Sequence, residues 1–150
     1  MRGGAVIALI QRVTRARVTV DGDTVGSISP GLLVLVGMER GDGAAQADRM
    51  VERLLGYRVF ADDAGRMNRS VADAEGGVLL VPNFTLAADT DKGTRASFTP
   101  ALAPEDAAPL FDLLLKKMGD AHPKVAGGRF GAHMAVELIN DGPVTFLLKV

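Results

Sequence analysis

The stretch GLLVLVGME, residues 31–39, opens with seven positions that carry no apolar/polar alternation. A strand with one wet face alternates every second residue, so an unbroken apolar run of this length reads as a strand covered on both faces. VLLVP, residues 78–82, reads the same way and ends at Pro82, which has no amide proton to continue a ladder. Two strands of this kind require the rest of the chain to cover a sheet from both sides.

Two amphipathic helices are predicted. Between 44 and 55, Ala47, Met50, Val51, Leu54 and Leu55 recur at helical spacing while Asp48, Arg49, Glu52 and Arg53 fill the other face. Asp42 is the expected N-cap and Gly56 the expected stop. Between Pro104 and Met118, Ala107, Leu110, Phe111, Leu114, Leu115 and Met118 form one apolar stripe, with acids early and Lys116-Lys117 late, as the macrodipole favours. Pro109 interrupts it, so the helix is expected either to begin near 107 or to have a distorted first turn.

Residues 6–13 and 16–20 carry β-branched side chains with partial alternation, and Asp21-Gly22 marks a hairpin turn in VDGDTVGSI. YRVF (57–60) reads as a short strand, DDAGRMNRSVADAEGG as a polar surface connection, 120–131 as a glycine-rich loop, and AHMAVELI and VTFLLKV as closing strands. Between those last two, Asp141-Gly142 is a hairpin signal, yet Pro143 follows at once where a ladder needs an N–H. The whole is α+β, a strand-rich single domain over 1–150 with two main helices and no strict βαβ alternation. At 150 residues it can bury roughly 68–70% of its unfolded surface, enough for a core without staples.

Charge and composition narrow the function. Seventeen basic and 18 acidic side chains leave a net charge of −1, without the broad basic footprint of a protein that coats nucleic acid. The absence of cysteine removes thiol catalysis, disulfides and cysteine-ligated metals together. The opening MRGGAVIALIQRVTRARV has only a short apolar run before Gln11 and Arg12, and no run reaches the ~18 residues of a membrane span, so a cytoplasmic protein is expected. The sequons at Asn68 and Asn83 then carry no sugar.

Residue chemistry alone names no reaction. His122 and His133 have no serine signature around them, and two histidines fall short of the three or four ligands that zinc takes. GGRFGAH (127–133) leads into a strand, whereas a dinucleotide loop joins strand to helix. Asp62-Asp63 reads as solvated surface. PNFTLAADT places Asn83, Phe84 and Thr85 just beyond a buried strand, where functional groups often gather, but a threonine hydroxyl without an adjacent base is a weak nucleophile. Arg12, Arg15 and Arg17 form the one local basic cluster, compatible with one or two phosphate contacts.

Four stretches, NFTLAADT, NDGPVTF, IALIQRVTRARVTVDG and ERLLGYRVFADDAGRMN, together resemble the D-aminoacyl-tRNA deacylase (D-Tyr-tRNA deacylase) family, hydrolases that proofread chirality by removing D-amino acids from tRNA. The resemblance runs from Val6 to Val150. Pro82-Asn83-Phe84-Thr85-Leu86 stands where the family reads Ser-Gln-Phe-Thr-Leu, and Asn140 to Thr145 matches Asn-x-Gly-Pro-Val-Thr without change. It implies the family's fold and a homodimer with its active site at the subunit interface. There a cis Gly142-Pro143 dipeptide reaches into the partner's pocket, and its carbonyl oxygens bind the amino group of a D-residue and collide with the side chain of an L-residue. Arg12 matches an arginine that holds this dipeptide in its orientation, and Asn140 belongs to the same substrate-binding motif.

The resemblance assigns catalysis to Asn83, Phe84 and Thr85, with the amides of Phe84 and Thr85 as an oxyanion hole. The RNA's own 2′-hydroxyl activates water in that scheme, and Thr85 as covalent nucleophile is the alternative. Aminoacyl-tRNA, held by its 3′-terminal adenosine, and a second copy of the chain are the implied partners, with no cofactor, metal, membrane or DNA. Glycyl-tRNA mischarged on tRNA(Ala) is a further candidate substrate. Pro82 and Asn83 depart from the family's Ser and Gln: Pro82 resembles an L-alanine-editing sister group with a trans Gly-Pro, and Asn83 is one methylene short. The sister activity and a non-catalytic RNA or protein interaction dimer therefore remain as alternatives.

Overall fold

The two doubly apolar runs are neighbouring strands in the middle of one sheet, paired in parallel from Gly31↔Gly77 to Val36↔Pro82. The computed structural model describes residues 5–150. In chain order the elements are β1 (Ile7–Val20), β2 (Asp23–Ile28), β3 (Gly31–Gly37), α1 (Ala44–Gly56), β4 (Phe60–Ala61), β5 (Met67–Arg69), β6 (Gly77–Pro82), a 3-10 turn (Phe84–Ala87), α2 (Pro104–Ala121), β7 (Val125–Gly127) and β8 (Ala135–Lys149). The main sheet runs β2-β1-β3-β6-β7, and β8 pairs with β1. β1 is one strand, not two: β8 follows one edge along almost its whole length, while β3 takes the first half of the other edge and β2 the second half. A register shift between Val13 and Arg15 breaks its alternation, which is why only partial periodicity shows in the sequence.

The strand-rich α+β class with two helices holds. Each helix lies within a crossover between parallel strands, α1 between β3 and β6 and α2 between β6 and β7, and this brings both to one face. On that face Leu32, Val34, Val78 and Leu80 pack with Met50, Leu54, Phe111, Leu114 and Met118. On the other, Leu33, Leu79 and Val81 pack with Val13 and Val18. Complete burial of Leu32, Leu33, Leu79 and Leu80 contributes roughly 1.5–3 kcal/mol each.

Several local expectations are corrected. Gly43, not Asp42, is the N-cap of α1, and Gln46 Oε1 accepts the Gly43 N–H at 2.9 Å. α2 begins at Pro104, where no N–H is needed, and passes through Pro109, whose missing donor removes one bond early in the helix. The helix then runs on to Ala121, and β7 occupies part of the predicted 120–131 loop. Of 57–60 only Phe60 is in a strand, and the polar connection after it contains β5 and a fully buried Val71. Gly56 is the last residue of α1.

Asp42 instead braces the turn before α1, where its Oδ2 accepts the Glu39 N–H at 2.6 Å. Its Oδ1 is buried without a partner among the described residues, and burial pushes the carboxyl from 3.8 up to about 6. Because the folded state holds this proton more tightly than the unfolded chain, the stabilisation is complete below about 3.8 and lost as pH rises through about 6. Asp62, held low by the Asn68 side chain, and Asp73, held low by the Ser70 backbone, act in the opposite sense. Asp42→Asn is therefore expected to match or exceed the wild type in stability at neutral pH and to lose that advantage on acidification, which denaturant midpoints across this range will show.

Candidate active site

Asp141-Gly142 does not turn the chain back. β8 pairs with β1 on both sides of it: Gln11↔Thr145 and then Val13↔Asn140, so β8 takes five steps where β1 takes two. The surplus, residues 141–144, leaves the ladder as a bulge. This correction also accounts for Pro143, since a residue outside the ladder owes it no N–H. Gly142 has φ +144°, and the Gly142–Pro143 peptide bond is cis.

Side chains from both strands close the bulge. Asn140 Oδ1 accepts the Val144 N–H at 2.8 Å, and its Nδ2 donates to Thr145 Oγ1 at 3.0 Å. Arg12 Nε donates to the Asp141 carbonyl at 3.0 Å and Nη1 to the Val59 carbonyl at 2.8 Å, with Asp141 Oδ2 at 3.6 Å. Committed in this way, Arg12 is separated from the expected basic cluster. Arg15 and Arg17 are exposed, and Arg17 pairs with Glu137 at 2.5 Å.

The Asn83-Phe84-Thr85 segment leaves the end of β6. The Asn83 N–H donates to the Val36 carbonyl at 2.8 Å, which anchors the segment to β3, and the chain then enters the 3-10 turn. As the first amides of that turn, those of Phe84 and Thr85 have no acceptor within it, and none is found elsewhere among the described residues. Thr85 Oγ1 donates to Asn83 Oδ1 at 2.5 Å. An amide oxygen accepts a hydrogen bond but does not remove a proton at neutral pH, so Asn83 orients Thr85 without activating it.

Phe84, 57% exposed, meets Phe98 with ring centroids 5.2 Å apart. Together with Arg40, Leu102, Ala107 and Phe130 they line an apolar cavity of about 500 Å³. On the other side of Asn83 a trough of about 410 Å³ runs past Gln11, Leu35, His133, Met134 and Leu138. A further cavity of about 570 Å³, lined by Ser29, Glu75 and Lys124 among others, contains none of the motif residues. His122 is buried with Nε2 2.7 Å from the Gly76 carbonyl, a structural contact, and His133 lies exposed in the trough. No group of three or more His, Asp or Glu placed to hold a metal occurs among the described residues.

The two motifs do not meet within one chain. The bulge is level with Arg12, which pairs with Leu32 and, through it, is level with Val78; Asn83 lies five residues further along β6 and three strands across. Strand geometry makes that separation roughly 20 Å. The residues missed from the sequence are Arg40, Phe98 and Phe130. Their only signal is that two of the chain's six phenylalanines fall outside every apolar run, in polar or glycine-rich connections.

Residues 9–149 match the family described as D-Tyr-tRNA(Tyr) deacylase. The chain belongs to that family. Among deacylase relatives, a D-aminoacyl-tRNA deacylase of Thioalkalivibrio sulfidiphilus (strain HL-EbGR7) is 62% identical over 145 residues, covering 97% of each chain. One of Nitrosococcus oceani is 59% identical over 145 residues, covering 97% of this chain and 94% of that one. A solved structure described as a c-Myc DNA unwinding element binding protein superposes with a TM-score of 0.90 at 36% identity, covering 95% of this chain and 97% of that one. Another, described as a probable eukaryotic D-amino acid tRNA deacylase, gives 0.85 at 16% identity over 97% and 100%, and shares the fold.

Proposed function

We propose that this protein hydrolyses the ester of D-aminoacyl-tRNA, releasing the D-amino acid and free tRNA. The observation that carries this reading is the pair of amides at Phe84 and Thr85 that find no acceptor among the described residues, the first of them on a residue that lines an aromatic cavity. Ester hydrolysis passes through an oxyanion, and a preorganised donor aimed at it is worth roughly 2.7–4 kcal/mol. The cavity accepts the terminal adenosine, whose base stacks against phenylalanine rings as single-stranded bases commonly do. That places the 3′-ester at the amides, and the neighbouring 2′-hydroxyl supplies the activation that no protein base provides. The same requirement selects RNA over DNA.

A second copy of the chain completes the site. Val136 and Leu147 leave 36% and 52% of their surface exposed on β8, on either side of the bulge. An apolar surface of this kind fits a homodimer in which each bulge reaches the partner's Asn83–Thr85 segment. The backbone oxygens of Gly142 and Pro143 then read the α-carbon without contacting a particular side chain. Glycine has no side chain to collide with them, so mischarged glycyl-tRNA is a substrate too. Pro82 and Asn83 leave both catalytic amides in place and do not favour the non-catalytic reading. No helix among the described residues is long and apolar enough to cross a membrane. Charged tRNA, the substrate of this reading, makes the cytoplasm the proposed place of action.

Purified protein is expected to release D-tyrosine from D-Tyr-tRNA and to leave L-Tyr-tRNA intact. No release at stoichiometric enzyme removes the deacylase reading, and equal release of both enantiomers points to the L-editing sister group. Thr85→Val, which keeps the amide, is expected to stay within about tenfold of wild type, whereas a 2′-deoxy terminal adenosine is expected to lose at least about 10²-fold. The reverse pattern would establish Thr85 as a nucleophile.

A further inference from the structure

We propose that Arg40 is a substrate-positioning residue that grips the phosphodiester immediately 5′ to the terminal nucleoside; this rests on the deacylase reading above. Among the described residues, Arg40 supplies the one charged side chain lining the aromatic cavity. It sits just beyond β3, where the chain is tied to the segment after Phe98: Glu39 bridges Ala101, and the Arg40 N–H donates to the Pro100 carbonyl at 3.0 Å. Its Nε donates to the Thr99 carbonyl at 2.5 Å. Its two Nη groups have no acceptor, and no carboxylate pairs with it, among the described residues. Several other cations are engaged elsewhere: Arg12 holds the bulge, Arg17 meets Glu137, Lys117 meets Asp48, and Lys124 donates to the Glu75 carbonyl.

The geometry suits a phosphate. A nucleoside seated among phenylalanine rings carries its 5′-phosphate to the cavity rim, because the phosphate cannot shed its water inside an apolar pocket. A guanidinium anchored through Nε presents two parallel N–H donors at that rim with little rotamer freedom left to lose, and that fork matches a phosphate's oxygens. Chirality is read elsewhere, at the aminoacyl end, so such a grip acts on every charged tRNA alike and fixes the register of the ester against the Phe84 and Thr85 amides.

The test compares wild type, Arg40→Ala and Arg40→Lys on D-Tyr-tRNA, on the 3′-O-D-tyrosyl ester of 5′-AMP, and on the same ester of adenosine, which has no phosphate. Arg40→Ala is expected to raise KM for the two phosphate-bearing substrates about tenfold to a hundredfold, with kcat held within twofold, and this loss is expected to exceed any loss on the adenosine ester by at least tenfold. Arg40→Lys restores part of the difference as a point charge. On tRNA, the slope of log(kcat/KM) against log salt falls by about 0.7, one single-strand phosphate contact. An equal loss on all three substrates would make Arg40 a wall of the cavity and overturn the proposal, as would no loss on any. Wild-type protein inert on every substrate would remove the deacylase reading and this inference with it.

Discussion

Gly142→Ala is expected to lower kcat/KM on D-aminoacyl-tRNA by about 10²-fold or more while moving Tm by less than about 10 °C. A Cβ at this position would lie 2.7 Å from Val144 Cγ2, 2.8 Å from the Val144 nitrogen and 3.4 Å from Arg12 Nη2. The first contact is a side chain that can turn, but the second is backbone, and the φ of +144° is one that L-residues rarely adopt. The bulge must therefore change shape, at a cost of roughly 1–3 kcal/mol. Asp141 to Pro143 are exposed, so little core is lost with it and the fold survives. Displacing the backbone oxygens by about 1 Å is enough for a loss of this size. Retention of wild-type turnover would separate the bulge from catalysis. Co-expression of Gly142→Ala with Phe84→Pro, which removes one of the two amide donors, adds a second arm: random mixing leaves half the dimers with one intact composite site, about a quarter of wild-type activity, where a site built within one chain would give almost none.

The fold was legible where burial alone sets the pattern. GLLVLVG and VLLVP could only be doubly covered strands, and the α1 and α2 stripes could only face a core. What escaped depended on partners distant in sequence. Asn140-Asp141-Gly142 has the composition of a hairpin turn, and it becomes a bulge because β1 is long enough to pair on both sides of it. β7 is three residues in a glycine-rich stretch, recruited to the edge of β6 by register and not by propensity. Asn83 to Thr85 stood out as a strand-end segment and Gly142-Pro143 as an ill-placed proline, resemblance gave them roles, and the structure adds what motif text does not contain, namely the free amides and the Arg12 and Asn140 bonds. The aromatic cavity was invisible because Arg40, Phe84, Phe98 and Phe130 come from four separate segments.

Gly31→Ala is expected to cost the most stability of any glycine substitution in the sheet, more than about 4 kcal/mol, with a fall in Tm above about 10 °C or failure to accumulate as folded protein. Gly31 and Gly77 face each other where β3 and β6 begin their parallel pairing. A Cβ on Gly31 would lie 1.9 Å from the Gly77 carbonyl oxygen, 2.6 Å from its nitrogen and 2.7 Å from its carbonyl carbon. Every one of these is backbone, so relief requires the strands to part, and Gly77 cannot retreat freely because Ile28 packs behind it. Gly56→Ala is the matched control: it ends α1 with nothing within 4 Å of its Cβ position and is expected to be neutral or slightly stabilising. Urea and thermal melts of the pair measure the difference, and a Gly31→Ala protein that melts with the wild type would show that the two strands tolerate separation. The consequence reaches the site, because the same pairing ends at Val36↔Pro82 and its last hydrogen bond, from the Asn83 N–H to the Val36 carbonyl, sets the start of the turn that frees the Phe84 and Thr85 amides. Any Gly31→Ala protein that does fold should therefore lose turnover on D-Tyr-tRNA even at temperatures where it remains fully native by circular dichroism.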